Sequence, residues 1–352
     1  MNNSISIAVD AMGGDHGPSV TVPAVFDALR RDPELRVVLV GRADIVEPLL
    51  APQRAVFGDR LAFRDAPEVV AMDERPQDAL RKKKNSSMRV AIDLVKRGEV
   101  AACVSAGNTG ALMATARFVL KTLPGIDRPA MLYRIPAQHG HTVMLDLGAN
   151  ADALPEHLLH FAVMGAVIAQ DLHGNDRPRI GLLNIGSEDI KGNEVVQQAH
   201  KLLAATSLNY VGFVEGTDIF SGKVDVVVTD GFTGNVALKS MEGAANMFYG
   251  ALKAELTRNL LRKVGLLFAL PALKAFKKLV DPDEHNGASM VGLNGVVIKS
   301  HGSARAYSFG NALRVAVIEA RKGVPTQIIE LLKAQTPATQ ESVATAVSAQ
   351  ES

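Results

Sequence analysis

The chain has 352 residues, 47% of them apolar and 21% charged, which is enough to bury a sizeable core and excludes global disorder. Its 38 Lys and Arg balance 37 Asp and Glu, so the basic excess of a general nucleic-acid binder is missing, and 5% aromatics leave little for stacking on bases. One cysteine, Cys103, excludes an intrachain disulfide and a multi-cysteine zinc site.

Residues 1–7 lack a basic segment leading into a long apolar run, so no signal peptide is expected. The longest uncharged stretch, 100–116, carries Ser, Gly, Asn and Thr and is too polar to span a bilayer. In chain order, 5–9 reads as a strand and 19–31 as a helix. Residues 36–40 read as a strand, followed by a helix from Ala43. Helices are expected at 87–97, 108–121, 155–171, 193–205 and 234–256. The strands among them are 101–104, 142–145, 179–183, 208–214, 224–228 and 296–299. Short Val-, Ile- and Leu-rich runs alternating with helices predict an α/β fold, a mostly parallel sheet with helices on both faces. The Ser-, Thr-, Ala- and Gln-rich tail, 336–352, reads as disordered, leaving 1–335 as one α/β unit.

Four Gly- and Asn-rich turns follow strands: 10–18, 105–110, 184–188 and 230–235. In a parallel sheet the carboxyl ends of the strands open on one edge, where ligands bind. Glycine lets backbone N–H groups approach an anion, and the next helix adds its positive end. Tight turns in any α/β protein also use glycine. Four together, each with Ser, Thr, Asn or Asp beside the glycine, favour a shared phosphate site. Its candidate residues are Asp10, Gly13, Gly14 and His16 in the first turn and Ser105, Gly107, Asn108 and Thr109 in the second. Gly186, Gly234 and, more weakly, His301 complete the set. There is no G-x-G-x-x-G, and the run from Gly216 to Lys223 has the wrong spacing for a P-loop, so phosphate is favoured over ATP or NAD.

Lys191 lies just beyond the third turn, as a solvated surface lysine or as a phosphate or oxyanion ligand. Asn235 reads as an N-terminal cap or as a donor to an oxyanion. The basic run Arg81, Lys82, Lys83 and Lys84 reads as a solvated face or as a dock for an acidic partner. There is no G-x-S-x-G elbow and no H-E-x-x-H helix. His139 with His141, and His157 with His160, lack acidic or cysteine companions nearby, so no metal is expected. Cys103 lies inside an apolar strand and reads as an inert thiol.

Together these segments resemble the bacterial phosphate acyltransferases of the PlsX type. The likeness rests on Val9-Asp10-Ala11-Met12-Gly13-Gly14-Asp15-His16-Gly17-Pro18, 81–88, 104–113, Leu145-Asp146-Leu147-Gly148-Ala149-Asn150, 181–186, Lys191-Gly192-Asn193, 230–236 and Lys299-Ser300-His301-Gly302-Ser303. The resemblance implies a fold similar to phosphate acetyltransferases and isocitrate-type dehydrogenases, and a homodimer. It implies transfer of a fatty acyl group from acyl carrier protein to inorganic phosphate, with no cofactor or metal. Lys191 and Asn235 are then the catalytic candidates, and Arg81 to Lys84 with Arg262 and Lys263 the docking candidates for the acidic carrier. A transacetylase acting on acyl-CoA, and less so a dehydrogenase on the related fold, are the alternatives.

Residues 253–280 hold seven basic residues against Glu255, in a chain whose net charge is only +1. Leu260, Leu261, Val264, Leu267 and Phe268 recur at helical spacing, and Pro271 interrupts. The segment reads as an amphipathic helical hairpin, packed in a dimer interface, laid on anionic lipid, or both. The resemblance implies that acyl phosphate passes to a membrane glycerol-3-phosphate acyltransferase. The expected location is therefore cytoplasmic, peripheral to the inner face of the cell membrane.

Overall fold

Eleven short strands, most of them runs of Val, Ile and Leu, pair into one sheet in a computed structural model. It describes residues 4–259, 262, 266, 268–273, 276, 278, 281 and 283–335. The strands are β1 (Ile5–Asp10), β2 (Leu35–Gly41), β3 (Leu61–Asp65), β4 (Ala102–Ser105), β5 (Ala130–Pro136), β6 (His141–Leu145), β7 (Ile180–Leu183), β8 (Tyr210–Val214), β9 (Val226–Val228), β10 (Ala288–Val291) and β11 (Val296–Lys299). The helices are α1 (Pro18–Arg31), α2 (Ala43–Phe57), α3 (Pro76–Lys82), α4 (Ser87–Lys96), α5 (Thr109–Leu120), α6 (Pro155–His173), α7 (Glu194–Ala204), α8 (Gly231–Leu256), α9 (Ala306–Lys322) and α10 (Val324–Gln335).

The order across the sheet is β3-β2-β1-β4-β11-β10-β5-β6-β9-β7-β8. The β11/β10, β10/β5 and β5/β6 ladders are antiparallel and all the others parallel. Two parallel halves therefore run in opposite directions, joined by an antiparallel centre. The register brings their ends together. Lys299 pairs with Ser105 on one side and Ala288 on the other, and Val9 pairs with Val104. One residue along β10, Ser289 pairs with Leu132, Leu132 with Leu145, Leu145 with Val228 and Val228 with Leu182. The glycine turns thus meet along a line across the middle of the sheet, reached from both sides, and not at one edge.

Alternation of side chains along each strand divides the core into layers. Ile7 and Val9 face α1 and α9, with Phe309 fully buried among them. Leu132, Leu145 and Val228 face α6, α7 and α10. On the opposite side, Ala8, Cys103, Val297, Met131 and Met144 join one cluster with α4 and α5 that crosses from one half to the other. Full burial of a side chain such as Phe309 or Leu39 contributes about 1.5–3 kcal/mol.

Helix α8 starts at Gly231, earlier than the pattern suggested, because the Asp230 carboxylate accepts from the Thr233 N–H at 2.8 Å and caps it. Of the expected 253–280 hairpin, 253–256 end α8, and among the described residues beyond it 262, 266, 268–273, 276 and 278 are helical. Leu260, Leu261, Lys263, Val264 and Leu267 lie outside the described residues, as does the 336–352 tail.

Candidate active site

The first two glycine turns are clamped together by a buried carboxylate. Asp10 ends β1, is 1% exposed, and accepts from the Ser105 hydroxyl at 2.6 Å and the Met12 N–H at 3.2 Å. Burial raises its pKa, while bonds from Ser105, Ser87 and the backbone of Met12 and Gly13 pull it back. The Gly107 N–H donates to the Ser105 oxygen at 3.0 Å. The fit demands glycine: a Cβ on Gly13 would lie 2.7 Å from both the Asp10 carboxylate and the Gly107 nitrogen. Asp10, Gly13, Ser105 and Gly107 are thus brought together, but as buried scaffold. His16 is exposed on the rim, and Gly14 lies against Ala106 and Gly302.

A matching clamp forms on the other half. Buried Asp146 accepts from the N–H groups of Met131 at 2.9 Å, Ala149 at 3.1 Å and Asn150 at 2.7 Å, holding the turn after β6. Gly234 packs against it so closely that a Cβ would fall 2.0 Å from the Asp146 carbonyl oxygen. That contact leaves Asn235 beside Gly148. Asn235 is not the helix cap, since Asp230 fills that role.

Between the two clamps lies a cavity of about 760 Å³. Thr109 and Gly110 at the start of α5, Asn235, Asn286, Lys299 and His301 form its polar wall. Met113, Met131, Tyr133, Leu147 and Leu238 form its apolar wall. A second pocket of about 320 Å³ shares Tyr133, Leu238 and Glu242 with it and continues past Ile135, Phe220, Met241 and Ala245. The imidazole of His301 meets the Ser303 hydroxyl at 2.8 Å, and the backbone N–H of His301 donates to Asn286 Oδ1 at 2.9 Å. In the sequence, Lys299 stands out only as the first residue of the 299–303 motif. Its signal is that a lysine ends a buried strand, where its ammonium must reach either a partner or a cavity.

Other candidates fall elsewhere. Lys191 lies in the turn after β7, on the same line of strand ends, but it is exposed and does not line the cavity. Gly186 is buried against Glu188 and Lys191 in that turn. Asn108 caps α5 by accepting from Ala111 at 2.9 Å, and its amide donates to Met72 and Glu74 carbonyls, so its polar atoms are used within the fold. In the basic run, Lys83 turns inward to Glu74 and the Val69 carbonyl, both at 2.6 Å, and Lys82 pairs with Asp78. Arg81 and Lys84 are exposed. Pro76, the first residue of α3, packs on cavity-lining Gly110, and the basic run closes the other end of that helix. Arg262 pairs with Glu255, and Phe268 is 86% exposed. His157 accepts from the Leu154 N–H at 3.0 Å and reaches Asp127 at 2.7 Å, which fixes the start of α6, while His141 faces His285 at 3.2 Å. Among the described residues no group of three His, Cys, Asp or Glu could hold a metal. Cys103 is buried, and burial pushes its thiol pKa up.

The family described as "Fatty acid synthesis protein" matches residues 5–327. The chain belongs to that family. It is 58% identical over 325 residues to "Phosphate acyltransferase" from Methylococcus capsulatus, covering 92% of this chain and 96% of that one. It is 56% identical over 333 residues to "Phosphate acyltransferase" from Alkalilimnicola ehrlichii, covering 95% and 97%. Among solved structures it is similar to the EutD phosphotransacetylase from Staphylococcus aureus, with TM-score 0.57, 16% identity and coverage of 91% and 94%. A branched-chain phosphotransacylase from Enterococcus faecalis gives TM-score 0.55 at 16% identity, covering 89% and 99%. The structural likeness is one of fold.

Proposed function

We infer that this member transfers an acyl group from a thioester to inorganic phosphate, giving an acyl phosphate and a free thiol. The observation that carries the reading is one cavity with an anion-suited wall and an apolar wall, in a chain of the phosphate acyltransferase family. A phosphate oxygen attacks the thioester carbonyl carbon, the C–O bond forms, the C–S bond breaks, and the sulfur leaves as thiolate or takes a proton. Phosphate carries its own negative oxygens, so no covalent nucleophile is needed. Holding it against the carbonyl supplies about 7–11 kcal/mol of the barrier in favourable cases.

The amide of Asn235 is proposed to donate to the oxyanion that forms on the carbonyl. Lys191, exposed on the same line of strand ends but outside the cavity lining, is the second proposed donor, which its long side chain would supply by swinging over the cavity mouth. The acyl chain is proposed to run along Tyr133 and Leu238 into the second pocket, whose apolar lining supports this route. A donor on acyl carrier protein is supported by the exposed Arg81 and Lys84, at the end of the short helix whose first residue packs on the cavity lining. The test is turnover with acyl carrier protein against CoA as donor. Equal use of both contradicts a carrier-specific dock.

A homodimer and contact with an anionic membrane are also proposed. Exposed Met247, Phe248 and Tyr249 on α8 support a covered face, and Phe268 supports a lipid contact. No helix among the described residues is long and apolar enough to cross a membrane. Flotation with anionic vesicles at low salt tests the lipid contact. Wild type and Phe268→Glu that float equally would contradict it.

A further inference from the structure

Lys299 ends β11 on the line where the two halves of the sheet meet. Its residue is 7% exposed, yet it lines the cavity. The ammonium donates to the Ala106 carbonyl at 3.3 Å and to the Ser300 carbonyl. Both partners are neutral, and no carboxylate among the described residues forms an ion pair with it. A buried charge held only by carbonyl dipoles is costly, and an anion from outside the fold would compensate it.

The surroundings favour that anion. Asp10, on β1, is engaged by Ser105, and exposed Asp15 acts on the ammonium only through space, without an ion pair. Lys239, from α8, pairs with Glu242 at 2.7 Å. His301, Arg117 and Asp283 also line the cavity. Thr109 and Gly110 open α5 on the same wall, adding the positive end of a helix. Burial lowers the Lys299 pKa to about 8, while Asp10 and Asp15 act to raise it and Lys239 to lower it.

We propose that Lys299 is the seat of the acceptor phosphate: its buried ammonium, beside the start of α5, binds the phosphate oxygens directly. This rests on the cavity being the acyl-transfer site. Two of its three protons are taken by carbonyls, which leaves one donor for a phosphate oxygen in the cavity that the apolar wall also lines.

The test uses the full chain, inorganic phosphate and Lys299→Met, which keeps the stem and removes the charge. Phosphate is titrated calorimetrically with no thioester present. Wild type binds at about pH 7.5 and progressively more weakly toward about pH 9.5, as the ammonium loses its proton. The variant's phosphate Kd rises by about 10- to 100-fold and loses this pH dependence. Its Tm without phosphate equals or exceeds that of wild type, because an uncompensated buried charge is gone. With saturating thioester, the phosphate KM rises while the thioester KM is unchanged. Equal phosphate binding by both proteins overturns the proposal, and so does a pH dependence of phosphate binding that is the same in wild type and variant. A lower kcat with unchanged phosphate KM places the ammonium on the thioester oxygen instead and also overturns it. Wild type that binds phosphate through Lys299 but consumes no thioester upholds this proposal and defeats the acyl-transfer reading.

Discussion

The Ser105 hydroxyl donates to the Asp10 carboxylate across 2.6 Å, and the same oxygen accepts from the Gly107 N–H at 3.0 Å. One side chain therefore ties the turn after β1 to the turn after β4. Ser105→Ala leaves a buried carboxylate and a buried N–H each short of a partner. We expect a loss of about 1–3 kcal/mol in urea unfolding. An unchanged midpoint would mean that the two turns are held by something else.

Asp230 and Asn235 are five residues apart but have separable roles. Asp230→Ala removes the cap of α8 and should cost about 1 kcal/mol in stability. Asn235→Ala should leave unfolding unchanged and lower turnover by about 10²–10³, the usual effect of losing one oxyanion donor. Lys191→Ala is expected to fall in the same range with no change in fold. Normal turnover in both purified variants removes them from the mechanism.

The parallel parts of the fold were legible because their strands are apolar runs followed by glycine turns and amphipathic helices. The antiparallel centre was not. Strand β5 carries Tyr133, Arg134 and Pro136, which break the pattern, and β10 is only four residues long. Without those strands, the meeting of two opposed halves could not be read, and one open edge was expected. Helix α9 was missed although Phe309, Leu313 and Val317 lie on one face. Among the site residues, glycine marked the turns well. It did not show that Asn108 is used as a cap, that Lys83 turns inward, or that Lys299 is buried at the cavity, because these depend on contacts far apart in sequence.

Lys299 should leave a mark on stability. With a folded pKa near 8 against an ordinary 10.5, the folded chain binds fewer protons than the unfolded chain between those values. Stability therefore carries the full penalty below about pH 8 and recovers as pH rises toward about 10.5. In phosphate-free buffer, Lys299→Met should exceed wild type in stability at neutral pH, and the gap should close over that window. A gap that stays constant with pH would show that the ammonium is not the cause.

The small side chain of Ala245 helps keep the second pocket open. Ala245→Phe should shorten the acyl chain that fits. Each buried methylene is worth about 0.8 kcal/mol, so two displaced methylenes correspond to about a 15-fold loss in kcat/KM. The loss should fall on long-chain donors and spare short ones. A uniform loss across chain lengths would place the chain elsewhere.

Acyl transfer to phosphate is tested by capturing its product. The purified chain is mixed with a long-chain acyl thioester on acyl carrier protein, with and without inorganic phosphate, and hydroxylamine is added to trap acyl phosphate as the hydroxamate. Once the enzyme-free reaction of hydroxylamine with the thioester is subtracted, hydroxamate and free thiol should form in equal amounts and only when phosphate is present. Enzyme-dependent thioester loss that proceeds equally without phosphate, or thiol release without hydroxamate, would rule out acyl transfer to phosphate.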